Sequence, residues 1–168
     1  MMDVRRARPS DAAGLARLHV AAWEETYPGL LPPEEIARRG YADRLTTWTA
    51  ALNGGPTRIA IAPGAGFAQI GPQREAAIAE AGAEEELWSM YLPRAAQGTG
   101  LARALLTHAL GPDARPFSAC VLAANTRACA FYERTGARLL PTRDERIGQT
   151  PIRERVYLWR DPTRVRRI

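Results

Sequence analysis

Residues 86–103 read ELWSMYLPRAAQGTGLAR, and the order of residue types in that stretch decides the fold. Leu87 to Leu92 is an apolar run with aromatic residues and no helical spacing, which reads as a strand. Pro93 ends it. Gln97-Gly98-Thr99-Gly100 then forms a glycine turn, and Leu101-Ala102-Arg103 opens a helical pattern that stops at Gly111-Pro112. A glycine-rich turn entering a helix aims unpaired backbone N–H groups and the positive end of the helix dipole at one point, an arrangement suited to phosphate. The loop is not a nucleotide-binding P-loop, because no Gly-Lys-Ser/Thr follows. Arg103 stands where a dinucleotide fingerprint needs its third glycine.

Working outward, Val4 to Arg8 reads as a strand and Ser10-Asp11 as the cap of a helix carrying Leu15, Leu18 and Ala22. That helix should end near Tyr27, ahead of Pro28-Gly29 and Pro32-Pro33, and Pro33 with Glu34-Glu35 should start a second helical stretch. Thr57 to Ala62 and Gly66 to Ile70 read as a hairpin around Pro63-Gly64, and residues 72–85 as an alanine- and glutamate-rich connector. Phe117 to Ala123 is a further strand. Asn125-Thr126 caps a helix with Phe131 and Tyr132 that ends at Gly136. Arg138 to Pro141 and Arg155 to Trp159 close the chain as two strands. The order is mixed α/β.

At 168 residues, with 46% apolar and 24% charged residues and no internal repeat, one soluble domain spanning residues 1–168 is expected. The opening arginines lead into no apolar run, and nothing approaches a membrane span, so the expectation is a cytoplasmic protein without a membrane partner. All 23 basic residues are arginine. The net charge of +5 is concentrated in residues 138–168, where nine arginines face four acids and the segment 160–168 is especially basic. Cys120 and Cys129 match no metal or redox spacing, and His19 and His108 are the only histidines, so no metal is expected.

The succession of the 86–92 strand, Gln97-x-x-Gly100-x-Ala102, a strand, Asn125, and Phe131-Tyr132-Glu133-x-x-Gly136 resembles the GNAT superfamily of N-acetyltransferases. His19 to Pro32, Gly66-Phe67-Ala68 and Glu154-x-x-Tyr157 extend the resemblance over nearly the whole chain. It implies a mixed central sheet of about six to seven strands, splayed between the fourth and fifth, flanked by about four helices. It also implies acetyl-CoA as cosubstrate. The pantetheine arm would pair with the backbone of Met90, Tyr91 and Leu92, and the pyrophosphate would sit on Gln97, Gly98, Thr99, Gly100, Leu101, Ala102 and Arg103. Asn125 would bond the arm's amides, cap the following helix, or do both.

Acetyl transfer to an amine needs a neutral nucleophile, a stabilised oxyanion and a proton for the departing thiolate. The resemblance points to Tyr132 as proton donor and to a backbone N–H near Met90 for the oxyanion. Glu86, four residues before Met90, shares its face by the period of two and is the candidate base. Glu24 and Glu25 compete for that role, and Trp23, Glu24 and Tyr27 are candidates to line the acceptor cleft. Three positions depart from the family pattern: Pro93 lies four residues before Gln97, Ala137 follows Gly136, and Cys120 stands where some members carry a glutamate base.

The expected partner is a small-molecule or peptide amine, and a homodimer is compatible with the reading. Two alternatives stay open: an acyl-CoA-binding module without catalysis, and a nucleic-acid-binding protein using the basic C-terminal segment, for which no recognisable motif is present.

Overall fold

The computed structural model describes residues 3–167; Met1, Met2 and Ile168, counted above in the single domain and the basic segment, lie outside the described residues. Eight strands form one sheet: β1 (Arg5–Arg6), β2 (Arg58–Ala62), β3 (Gly66–Pro72), β4 (Glu85–Tyr91), β5 (Phe117–Leu122), β6 (Arg138–Leu139), β7 (Arg143–Ile147) and β8 (Thr150–Trp159). Six helices accompany them: α1 (Ala12–Thr26), α2 (Pro33–Ala37), α3 (Tyr41–Leu52), α4 (Ala76–Glu80), α5 (Leu101–Leu110) and α6 (Thr126–Arg134). The expected mixed α/β architecture holds. The count exceeds six to seven strands and four helices because α2 and α4 are single short turns, Gly40 separates α3 from α2, and β7 was not foreseen.

The strand order is β1-β2-β3-β4-β5-β8-β6, with β7 paired to β8. Every pairing is antiparallel except β4 with β5. Both faces are covered, so β2 and β3 are buried almost throughout and read as continuous apolar runs instead of alternating. On one face, Leu101, Leu105, Leu106 and Leu110 of α5 pack on Ala60, Ala68 and Ile70. On the other, Leu15 and Ala16 of α1 and Trp48 of α3 pack on Ile59, Ile61 and Phe67. Burial of each such leucine, isoleucine or phenylalanine contributes about 1.5–3 kcal/mol.

Gly66 is required by close approach: a Cβ there would lie 2.9 Å from Leu105 Cδ1 and from Leu92 Cγ. The described part of the basic C-terminal segment, residues 160–167, is folded against the body. Val165 is fully buried in the α5-side core, and the Arg166 guanidinium donates to the Gly111 carbonyl at the end of α5.

Two details of the sheet shape the region beyond it. Strands β4 and β5 pair only from Glu85–Phe117 to Leu87–Ala119, whereas β4 stays paired with β3 as far as Tyr91 and β5 with β8 as far as Leu122. The sheet therefore opens between residues 88–91 and 120–122. A β-bulge also interrupts β3–β4. Ile70 faces Leu87 and Gln69 faces Ser89, so Trp88 is an extra residue on its strand. An inserted residue reverses the alternation beyond it, which puts Glu86 and Met90 on opposite faces of the sheet.

Candidate active site

The opening between β4 and β5 is the floor of a cleft of about 710 Å³ that passes from one face of the sheet to the other. At one end lie Gln97, Gly98 and Ala102 of the glycine loop and α5, with Asn125, Phe131 and Tyr132 of α6. At the other end stand Trp23 of α1 and Tyr27 just after it, Glu35 of α2 with Arg38 and Arg39 beyond its end, and the turn joining β7 to β8.

Gly98 and Gly100 adopt left-handed φ values of 77° and 87°, which only glycine takes without strain. Gly100 is the N-cap of α5. Among the described residues, the amides of Gly98, Thr99, Gly100, Ala102 and Arg103 find no backbone acceptor; that of Leu101 makes a 3.4 Å contact to the Thr99 hydroxyl. The loop is braced from below: Thr99 donates to the Ala96 carbonyl at 2.7 Å and Gln97 Nε2 to the Leu92 carbonyl at 3.0 Å. Gln97 Oε1 and Arg103 Nε remain buried without a hydrogen-bond partner. Five free amides at a helix N-terminus fit an anionic phosphate group.

Asn125 has the expected capping role, its Oδ1 accepting from the Ala128 amide at 3.3 Å, and it also lines the cleft. Tyr132 is 7% exposed, packed edge-on to Trp159 with ring centroids 5.2 Å apart. Burial pushes its phenol above the usual value. Cys120, half-buried in the cleft wall, is pushed up to about 12, chiefly by burial. Burial likewise raises the Glu154 carboxyl against the pull of Arg143, which donates to it at 2.8 Å. On α1's side, the Tyr27 and Tyr91 hydroxyls bond each other at 2.9 Å, and burial raises both phenols.

Residues 13–137 match the family model of the acetyltransferase (GNAT) family. The chain belongs to that family. An uncharacterized N-acetyltransferase, YuaI, of Bacillus subtilis (strain 168) is 31% identical over 108 residues, which span 63% of this chain and 61% of that relative, less than two thirds of its length. The PaiA N-acetyltransferase of Thermoplasma acidophilum, solved in complex with coenzyme A, superposes with a TM-score of 0.66 at 17% identity, covering 90% of this chain and 96% of that one. NAA60 of Arabidopsis thaliana, solved with a bisubstrate analogue, gives a TM-score of 0.67 at 16% identity, covering 94% and 96%. At these identities the likeness of the two structures is one of fold.

Within this GNAT fold, Met90, Tyr91, Leu92, Gln97, Gly98, Ala102, Asn125 and Tyr132 come together along the cleft, with Trp23 and Tyr27 at its far end. Leu101 does not present a side chain there; it is buried in the core at 4% exposure and contributes at most its amide. Two of the expected residues do not line the cleft. Glu86 lies below the opening, where β4 still pairs with β5 at Ser118, and the bulge at Trp88 puts it on the face opposite Met90. There it is 4% exposed and held by Arg74 Nε at 2.9 Å and Nη2 at 2.6 Å. Glu24 is exposed and does not line the cleft; its neighbour Glu25 does, accepting from the Arg94 amide at 2.8 Å.

Sequence reasoning overlooked Glu154 as a cleft residue, along with the whole wall built by α2 and the β7–β8 turn. The turn did carry a signal: Ile147 and Thr150 flank Gly148-Gln149, the two-residue glycine loop of a hairpin.

Proposed function

We propose that this GNAT protein transfers the acetyl group of acetyl-CoA to a primary amine by direct attack. The observation that carries the reading is the continuity of three features: the free amides of residues 98–103, the unpaired edges of β4 and β5, and the Tyr132 hydroxyl. Bound acetyl-CoA supplies a thioester as acetyl donor and a thiolate as leaving group.

The loop amides and Arg103 hold the cofactor's pyrophosphate. The exposed backbone edge at Met90, Tyr91 and Leu92 holds its extended arm, which fixes the reacting carbonyl and so removes much of the entropic barrier. An amide at Met90 receives the oxyanion charge that develops. Tyr132, kept protonated by burial, gives its proton to the thiolate. Glu154 takes the proton from the amine, its raised proton affinity suiting it to that role at neutral pH. The proton affinity of Cys120 keeps it a thiol, a poor nucleophile, which favours direct attack over an acetyl-cysteine route.

The test is thiol release from acetyl-CoA by the purified protein against a panel of amines, with mass spectrometry of the products. Thiol release that depends on the amine and is matched by acetylated product is expected. Calorimetric binding of acetyl-CoA with no amine acetylated would instead identify a binding module.

A further inference from the structure

The wall of the cleft facing away from the glycine loop has an apolar base and a cationic rim. Its base is the cluster of Trp23, Tyr27, Leu30, Leu122, Ile147 and Ile152. Its rim carries Arg38, Arg39 and Arg146. Of the carboxylates that line the cleft, Glu25 accepts from the Arg94 amide and Glu154 from Arg143, while Glu35 accepts through Oε1 from Arg38 at 2.9 Å and the Gln149 amide at 3.1 Å and keeps its Oε2 buried without a partner. Among the described residues Arg39 has no acidic partner, and Arg146 bonds only the Gln149 carbonyl, at 2.6 Å.

A second observation points the same way. Arg44 is 5% exposed directly behind this wall, its guanidinium 4.8 Å from the centre of the Trp23 ring. It has no salt-bridge partner among the described residues, and its Nε is buried without a hydrogen bond. Burial weakens its hold on its proton, against the pull of the Tyr91 phenol, and the neighbouring Arg39 adds to the loss. The same two arginines, after burial, lower the pKa of His19, so the imidazole adds no further charge. A fold that buries an arginine unpaired behind an arginine-rimmed pocket sustains a positive potential there.

We infer that the amine acceptor carries a carboxylate, which Arg39 meets at the rim while an apolar side chain rests on the Trp23–Ile152 base. The substrate class is then an apolar amino acid or a close analogue. The inference rests on the acetyl-transfer reading of the same cleft. Arg39 is suited to the task because its planar fork matches a carboxylate through two parallel hydrogen bonds, each charge-assisted.

The test compares leucine with leucinamide and isopentylamine, whose amines bracket leucine's in basicity, together with O-phosphoethanolamine and spermidine. Leucine should show a KM at least about tenfold below both comparators that lack the carboxylate, as the loss of one charge-assisted contact predicts. Arg39→Gln, at an exposed position where folding is not at stake, should bring the leucine-to-leucinamide ratio to within about twofold of unity. Calorimetric titration of leucine and leucinamide into the protein–CoA complex reads the same preference without turnover. Carboxylate-dependent binding without acetylation would sink the transfer reading alone. Equal binding of leucine and leucinamide, a ratio unmoved by Arg39→Gln, or preference for spermidine or O-phosphoethanolamine would overturn the carboxylate assignment alone.

Discussion

Burial raises the proton affinity of Glu154 while Arg143 holds its carboxylate in the cleft wall. Glu86, on β4 itself, has both oxygens taken by Arg74 outside the cleft. The two glutamates therefore make opposite predictions. Glu154→Gln should lower kcat/KM by roughly tenfold to a thousandfold near neutral pH, with a smaller deficit at high pH, where the amine is already neutral. Glu86→Gln should leave the pH–rate profile unchanged and cost about 1–3 kcal/mol of unfolding free energy, because the Arg74 pair is weakened. Parallel pH–rate profiles and urea melts of the two variants separate these roles. An unchanged profile for Glu154→Gln would return the base to Glu25 or to solvent.

At the scale of elements, the glycine loop was readable because its chemistry is local. Gly98 and Gly100 are needed for their left-handed φ values, and Asn125 shows as a cap because its side chain bonds an amide three residues on. Gly100→Glu should therefore abolish calorimetric binding of acetyl-CoA in a protein that remains folded by circular dichroism. The added side chain finds open space, so the effect comes from the non-glycine φ and from negative charge beside the free amides. Retained affinity would remove the loop from the cofactor site. What resisted sequence reading depends on pairing across strands. The bulge at Trp88 is set by its register with Gln69 and Ile70, and nothing in the alternation of residues 86–92 announces it. Strand β7 is charged and exposed at Asp144, Glu145 and Arg146, so it lacks the apolar alternation that marks a strand, and it is held by pairing with β8.

At the scale of the whole molecule, the α/β order, the opening between β4 and β5 and the positions of Tyr132 and Asn125 were legible from motif succession. The wall at the far end of the cleft was not, because it joins residues 23–39 to residues 146–152 through tertiary contact. The same packing sets a pH dependence. Burial, then Arg44 and Arg39, lower the His19 pKa to about 3, against about 6.5 when unfolded. Between those values the unfolded chain binds the proton and the folded one does not, so stability is full above about pH 6.5 and falls as the pH drops toward 3. Urea unfolding should lose about 2 kcal/mol between pH 7 and pH 5, and His19→Leu should remove most of that slope. An undiminished slope in the variant would place the titration elsewhere.

The most direct measurement of the central claim is made on Tyr132→Phe, which keeps the ring and removes the hydroxyl. Melting temperature, acetyl-CoA affinity and turnover are read on one preparation. The ring's contacts with Trp159, Tyr157 and Phe131 should survive, and the loop amides should still hold the cofactor. Stability and affinity are therefore predicted to change little while kcat falls by roughly ten- to ten-thousandfold. A variant with full turnover per folded molecule would contradict the assignment of Tyr132 as the proton donor.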